Sequence, residues 1–572
     1  MIGEKIRHSI IVALEALQMP RVDFSLEHPT ELSHGEYATN IALVVAKDIG
    51  KNPKEVAEII AQELKKQKIS EVASVEVAGP GFINFSLSRD FFSKQVANII
   101  EKGNDFGKTS LNKGSKTIVE YTDPNPFKEF HIGHLMTNVI GESLASLYEW
   151  TGAEVKRACY QGDVGIHVAC SVWALLQDRG SLPSESDTLQ TKAAFLGRAY
   201  AKGAAAYKDD EKAKEEIREI NKKIFERSDE EVNTLYDMGR AWSLDYFETI
   251  YEKLGTKFDY YFFESEAAPR GLEIVKENLP SVFRKSEGAV VFPGEEHGFH
   301  TRVFINKEGL PTYEAKELAL VSMKYEKYPY DVSVVITANE INEYFRVLMC
   351  ALSLINPELA EKTIHLGHGM LRLPSGKMSS RTGKVITAEG LLAEIADVVR
   401  TKMNNENLEG AEKGEEKERV INDIAVGAFK FVVLRQAIGR DIIFDFDKSL
   451  SFEGDSGPYL QYTVVRARSV LVKAAKADKQ ISTDNVPDEI SALERFLPRF
   501  PEVINRAASE KAPQLLVTYL LDVASSFNAY YANNRIIDDT PESPYRLALA
   551  RAAEKVLSNG LSALGIRVPS AM

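Results

Sequence analysis

Apolar positions recur at helix and strand periods and divide the chain into four stretches. Near the start, Ile6, Ile10, Ala13, Leu14 and Leu17 repeat at helical spacing. A second helix is predicted from Tyr37 to about Asp48. A third begins at Pro53, where a proline in the first turn gives up no needed N–H. Val72 to Val77 alternates like a strand, Gly79-Pro80-Gly81 turns the chain, and Phe82 to Leu87 returns as another strand. The polar stretch Gly103 to Ser115 reads as a linker. The pattern therefore predicts a small α+β domain over 1–108.

From Lys116 the pattern becomes α/β. Ile118 to Tyr121 is a predicted strand, Ile132 to Trp150 a helix, and Val155 to Tyr160 a second strand ending at Gly162-Asp163. A charged, helix-rich insertion spans about 182–254. Strands resume near Ala289, Arg302 and Val332. The run Val332 to Thr337 is almost continuously apolar, as a parallel strand covered on both faces would be. Ile364 to Leu366 is one more candidate. Strands alternating with helices predict a doubly wound, Rossmann-type α/β domain over 109–386. A helical region over 387–454 follows, with a polar loop from Asn404 to Glu418. An all-α bundle over 455–572 closes the chain, interrupted by a loop near Thr483 to Asp488.

The chain has 572 residues, 44% hydrophobic and 27% charged, which excludes disordered and fibrous classes. Its net charge of -13 is unusual for a nucleic-acid binder. The distribution changes that picture, because residues 455–572 hold 14 Lys and Arg against 13 Asp and Glu. Phosphate contacts are local, so a nearly neutral end on an acidic protein is compatible with RNA binding. The three cysteines, Cys159, Cys170 and Cys350, form neither a C-x-x-C zinc motif nor a disulfide framework. A cytoplasmic protein without structural zinc or any protein-held metal is expected. Glu15 interrupts the first apolar stretch, so no signal peptide is expected. No run of 18 apolar residues predicts a membrane span.

Two motifs carry chemistry. His131-Ile132-Gly133-His134 stands between a predicted strand and the start of a helix. Free N–H groups and the helix dipole favour phosphate there. The two histidines share one face of the first turn, and Gly133 lets a flat base approach the backbone. Taken alone, the motif could equally be a helix cap with exposed histidines or a metal pair. Lys377-Met378-Ser379-Ser380-Arg381, before Thr382-Gly383, is a cationic loop suited to a triphosphate; alone it could be an ordinary surface loop.

In this order and at this spacing, the two motifs resemble the signatures of class I aminoacyl-tRNA synthetases. Longer blocks are similar to arginyl-tRNA synthetases. They include Gly35-Glu36-Tyr37-Ala38-Thr39-Asn40, the run Gly79 to Phe85, Pro458-Tyr459-Leu460-Gln461-Tyr462 with Arg466-Ala467-Arg468, and the ending Leu564 to Met572. The resemblance implies ATP-dependent attachment of L-arginine to tRNA(Arg), with Mg2+ carried on the ATP phosphates. It implies an N-terminal domain at the tRNA elbow, with Asn84 and Phe85 as contacts, a stem-contacting region over 387–454, and an anticodon-binding bundle. Tyr530, Tyr531 and Arg535 are the bundle's candidates for stacking on bases, or else ordinary bundle packing. A monomer is expected.

By the same resemblance, His131, Gly133, His134, Lys377, Met378 and Ser379 bind ATP, and Lys128 and Arg381 join the catalytic cations. Lys128 stands in for a second lysine absent at Ser380. Arginine would be held by Glu120, Asp123, Asn125, Tyr313 and Glu317. Physically, a guanidinium calls for carboxylates and an aromatic face, and Tyr313 and Glu317 are one helical turn apart. Two departures stand out: Glu317 replaces the family's aspartate, and Thr122-Asp123-Pro124 replaces its serine-proline version. Gly162-Asp163 matches a further family element that could be purely structural. The rivals are another class I synthetase, a nucleotidyltransferase, and a non-catalytic RNA-binding paralogue.

Overall fold

The computed structural model describes residues 1–372, 387–405 and 414–572. They form two compact units. One comprises Met1–Lys108, Tyr462–Arg506 and Thr518–Leu561; the other comprises Thr109–Gln461, Ala507–Val517 and Ser562–Met572.

In the first unit a four-stranded antiparallel sheet is ordered Leu26–Glu27, Tyr37–Thr39, Phe82–Leu87, Val72–Ala78. The helices Ile2–Ala16, Ile41–Ile49 and Pro53–Lys66 cover it with Ile6, Ile10, Val45, Val56 and Ile60. The helix expected from Tyr37 therefore begins only at Ile41. Tyr37, Ala38 and Thr39 instead pair with Phe85, Asn84 and Ile83. A ladder partner remote in sequence outweighs local helix propensity there. The same unit joins this segment to the C-terminal helices. Arg495 pairs with Glu36, Tyr37 OH donates to Glu502 Oε1 at 2.8 Å, and Arg89 and the Tyr545 hydroxyl share Glu494.

The second unit is α/β. Its five-stranded sheet runs Thr363–His368, Val332–Ala338, Lys116–Glu120, Glu154–Gln161, Tyr260–Phe263, and every pairing is parallel. In chain order that is 5-4-1-2-3, the doubly wound arrangement. Its topological switch point lies between Lys116–Glu120 and Val332–Ala338, where connections leave to opposite faces and open a crevice at the strands' carboxyl ends. The strand Tyr260–Phe263 was not foreseen. The strands Ala289–Phe292 and Arg302–Ile305 do not join this sheet. With Arg284–Ser286 they form a separate three-stranded antiparallel sheet.

The helix Ile132–Trp150 is buried around nearly its whole circumference, as a helix covered on all sides must be. Buried polar groups pin it in place. Asn138 Nδ2 donates to Thr122 Oγ1 at 3.0 Å, and the Tyr121 hydroxyl donates to Glu142 at 2.6 Å. The insertion's helices Leu189–Asp209, Glu211–Glu226 and Glu230–Leu254 pack with the preceding helix Ile166–Gln177 around an apolar core that also takes in Phe127 and Val164. Among the described residues, no helix is long and apolar enough to cross a membrane.

Candidate active site

The crevice at the switch point is floored by the loop after Lys116–Glu120. Thr122, Asp123 and Phe127 all have positive φ, at 84°, 46° and 68°. Three non-glycine residues in the left-handed region within six positions represent stored strain, which surrounding structure must hold in place. Asn138 and Thr137 grip Thr122, and Ser243 Oγ accepts from Phe127 N at 2.9 Å.

This loop delivers the chain to His131, the N-cap of the following helix. His131 Nδ1 accepts from Gly133 N at 3.1 Å, and His134 Nδ1 accepts from His131 N at 3.3 Å. The two rings stack at 3.7 Å, and Phe130 meets His134 edge-on. Burial lowers the pKa of both histidines, and for both the nearby Lys128 adds to it. They are therefore neutral hydrogen-bonding groups at a helix N-terminus, with Nδ1 of each already engaged. Lys128 lies over the Tyr200 ring at 4.8 Å, and burial pulls its ammonium below the ordinary lysine range. Thr387 bridges to His131, and Ala388 N donates to Phe130 O at 2.8 Å. Lys377, Met378, Ser379, Ser380 and Arg381 lie outside the described residues.

Beside the histidines is an acidic pocket. Glu120 ends its strand buried, with Lys324 Nζ at 2.5 Å from Oε2. Burial pulls the Lys324 ammonium down, but the charge and hydrogen bond of Glu120, together with Tyr330 and Glu317, outweigh it and hold it above its usual value. Asp123 Oδ1 accepts from Tyr160 N at 2.7 Å. Glu317 makes no ion pair among the described residues, and burial together with Glu120 pushes its carboxyl up to about 8. Burial and the Glu120 charge raise Asp123 as well. Glu317 is half-buried at the wall, while Tyr313, one turn away, is 58% exposed and forms the outer face. Asn125 reaches Gly162 so closely that a Cβ there would lie 2.2 Å from Asn125 Oδ1. The sequence-predicted residues Glu120, Asp123 and Glu317 thus form one electrostatically coupled group.

Several residues of this pocket were not singled out from the sequence. Glu264 is buried at the start of the helix Glu264–Glu277, 3.3 Å from the Cβ position at Gly162, and is paired with Lys316. Burial raises its carboxyl above the usual range, and the Lys316 charge partly offsets this. The Tyr160 and Tyr344 hydroxyls are buried without a hydrogen-bond partner among the described residues. Both phenols are raised well above their ordinary value, first by burial and then by Glu264 and Glu317, so they remain protonated donors. The sequence carried one signal for this: a carboxylate directly after the aromatic, strand-like run Tyr260–Phe263.

Gly162-Asp163 is a structural turn. Asp163 accepts from Ser265 N, Ser265 Oγ and Arg240 Nε, each at 2.8 Å, and so ties the insertion to the helix that carries Glu264. Phe85 is corrected as a tRNA contact, because its ring is wholly buried in the first unit's core and cannot reach RNA. Asn84, its neighbour on the strand, points to the opposite face and is partly exposed. Tyr530 and Tyr531 end the helix Pro513–Asn533, with Arg535 exposed just beyond. The Arg466 guanidinium lies 4.7 Å from the Tyr462 ring and 5.6 Å from the Tyr531 ring. No cluster of three or more His, Cys, Asp or Glu among the described residues could hold a metal ion.

The family described as tRNA synthetases class I (R), catalytic domain, matches residues 95–446. The arginyl tRNA synthetase N terminal domain matches residues 4–87, and the DALR anticodon binding domain residues 460–572. The arginine–tRNA ligase of Halothermothrix orenii is 29% identical over 579 residues, covering 100% of this chain and 99% of its own. That of Clostridium acetobutylicum is 29% identical over 578 residues, with the same coverage. The Thermus thermophilus arginyl-tRNA synthetase structure matches at a TM-score of 0.81 and 25% identity, covering 100% of both chains. With one family matched across more than half of the chain, and its terminal domains matched on either side, this protein belongs to the class I arginyl-tRNA synthetases.

Proposed function

We infer that the chain is an arginine–tRNA ligase whose amino acid pocket is the acidic group around Glu120, Asp123, Glu264 and Glu317. The observation that carries this reading is the juxtaposition of that group with the neutral, stacked His131 and His134 at the sheet's switch point.

In the first step an oxygen of the arginine carboxylate attacks the α-phosphorus of Mg-ATP. The new O–P bond forms as the bond to pyrophosphate breaks. The barrier is one of charge and alignment, so positioning and cationic stabilisation supply most of the rate. His131 and His134 bind phosphate, and the backbone at Gly133 accommodates the base. Lys128, Lys377 and Arg381 balance charge on the pyrophosphate side, and Met378 and Ser379 bind ATP. Tyr313 and the carboxyls hold the guanidinium, and Asn125 holds the α-amino group. Tyr160 and Tyr344 have spare O–H donors for the substrate.

In the second step the 2′-hydroxyl of the terminal adenosine attacks the arginyl carbonyl and AMP leaves. Activation waits for bound tRNA(Arg). Asn84 contacts the tRNA elbow, while Tyr530, Tyr531 and Arg535 stack on unpaired anticodon bases. The protein acts as a monomer.

Arginine-dependent ATP–pyrophosphate exchange, measured with and without tRNA(Arg) and against lysine and canavanine, tests the reading. Exchange with arginine and tRNA is expected. No exchange from folded protein under any condition would instead favour a non-catalytic RNA-binding paralogue.

A further inference from the structure

The acidic pocket already holds a cation. Lys316 lies one residue before Glu317 on the helix Tyr313–Lys327 and is buried. Its Nζ is hydrogen-bonded to Glu264 Oε2 and sits 4.6 Å from the centre of the Tyr313 ring. A carboxylate on one side and an aromatic face on the other are what a guanidinium would seek. Two phenol hydroxyls in the same surroundings, those of Tyr160 and Tyr344, have no hydrogen-bond partner among the described residues while Lys316 is the occupant. An ammonium offers three donors from a single point, whereas a guanidinium offers five spread over a plane. The lysine therefore fills the charge requirement of the slot and leaves part of its hydrogen-bonding capacity unused.

Resting on the arginine–tRNA ligase reading above, we propose that Lys316 is a tethered occupant of the guanidinium slot, which substrate arginine must displace from Glu264. Lys316 then sets both affinity and specificity. Free lysine brings the same head group as the occupant and gains nothing by replacing it. Arginine gains the bidentate contact with Glu264 and the two phenols. The deeper pair, Lys324 with Glu120, is fully enclosed and stays in place, so the exchange is confined to the outer pair.

The test compares the KM for arginine in tRNA charging by wild-type protein, Lys316→Met and Lys316→Arg, with thermal unfolding to establish that each variant is folded. Methionine keeps the length of the side chain but leaves the slot without a cation, so KM is expected to fall about tenfold. Arginine at position 316 occupies the slot bidentately, so KM is expected to rise at least tenfold. If Lys316 merely supports the helix, the conservative arginine variant will be the milder of the two and the methionine variant will bind arginine worse; that order overturns the proposal. Wild-type protein that charges no arginine, with Glu264→Gln no different from it, would refute the underlying ligase reading. The reversed order in an active enzyme would refute the tethered occupant alone.

Discussion

Lys324 Nζ lies 2.5 Å from Glu120 Oε2 in the interior, where the strand Lys116–Glu120 ends and the helix Tyr313–Lys327 passes over it. Removing one partner leaves a buried charge uncompensated, which costs about 3–5 kcal/mol. Lys324→Met should lower unfolding stability by that amount, and Glu120→Gln combined with Lys324→Met should recover much of it. A double-mutant cycle from urea unfolding checks this. Strictly additive losses would mean that the pair is not coupled.

Glu317 gives arginine binding a pH dependence. Its carboxyl, pushed up to about 8 by burial and Glu120, is protonated in the free pocket at neutral pH. A guanidinium favours the anion, so binding expels this proton. The KM for arginine should therefore fall as pH rises from 6 to 8, by up to about tenfold per unit, and then level off. Folding stability has the opposite trend. The folded state binds the extra proton between the ordinary carboxylate range and about 8, so this group's contribution declines as pH climbs through that window. In Glu317→Gln the KM profile should flatten. An unchanged profile would assign the dependence to another group.

Gly162 has no room for a side chain. Alanine there would place a methyl 2.2 Å from Asn125 Oδ1 and 3.3 Å from Glu264 Oε1. Displacing either by about 1 Å should cost roughly 100-fold in kcat/KM for arginine. The KM for ATP should change little, because the histidines lie on a different element. Equal losses for both substrates would point to general disruption of the sheet end.

Lys430 clamps three segments. It is buried on the helix Glu415–Arg435 and donates to Leu254 O at 2.7 Å and to Gly565 O at 2.5 Å. Burial lowers its pKa from the usual 10.5 to about 8. Between those values the unfolded chain binds a proton that the folded chain does not, so stability should increase with pH across that window, by about 3 kcal/mol at most. The neutral amine keeps two N–H groups for its two carbonyls. Thermal unfolding from pH 7.5 to 10.5 should show this rise in the wild type. Lys430→Met should lose it and be less stable throughout.

Much of this protein is legible without coordinates. The helix Ile132–Trp150 follows from its apolar content and its entry at His131, and the almost wholly apolar run Val332 to Thr337 marks a central parallel strand. Both signals are local, because a residue's period and its immediate neighbours decide them. The placement of Glu120, Asp123 and Glu317 in one pocket came from family resemblance, not from their spacing. Local pattern failed where a distant partner intervened. Tyr37–Thr39 is a strand because Phe82–Leu87 offers it a ladder, and Phe85 is core because that same sheet is covered by helices.

The sequence alone determined the fold class, the two signature motifs and the residue types that a cationic amino acid needs, since each of these is encoded in short runs of the chain. Only the tertiary structure decided which charges meet. Glu264 is 144 residues from Glu120, and the lysines that neutralise both lie together on a third element. Ion pairing and desolvation depend on separation in space, and the parallel sheet brings these groups together by crossovers that leave no period in the sequence.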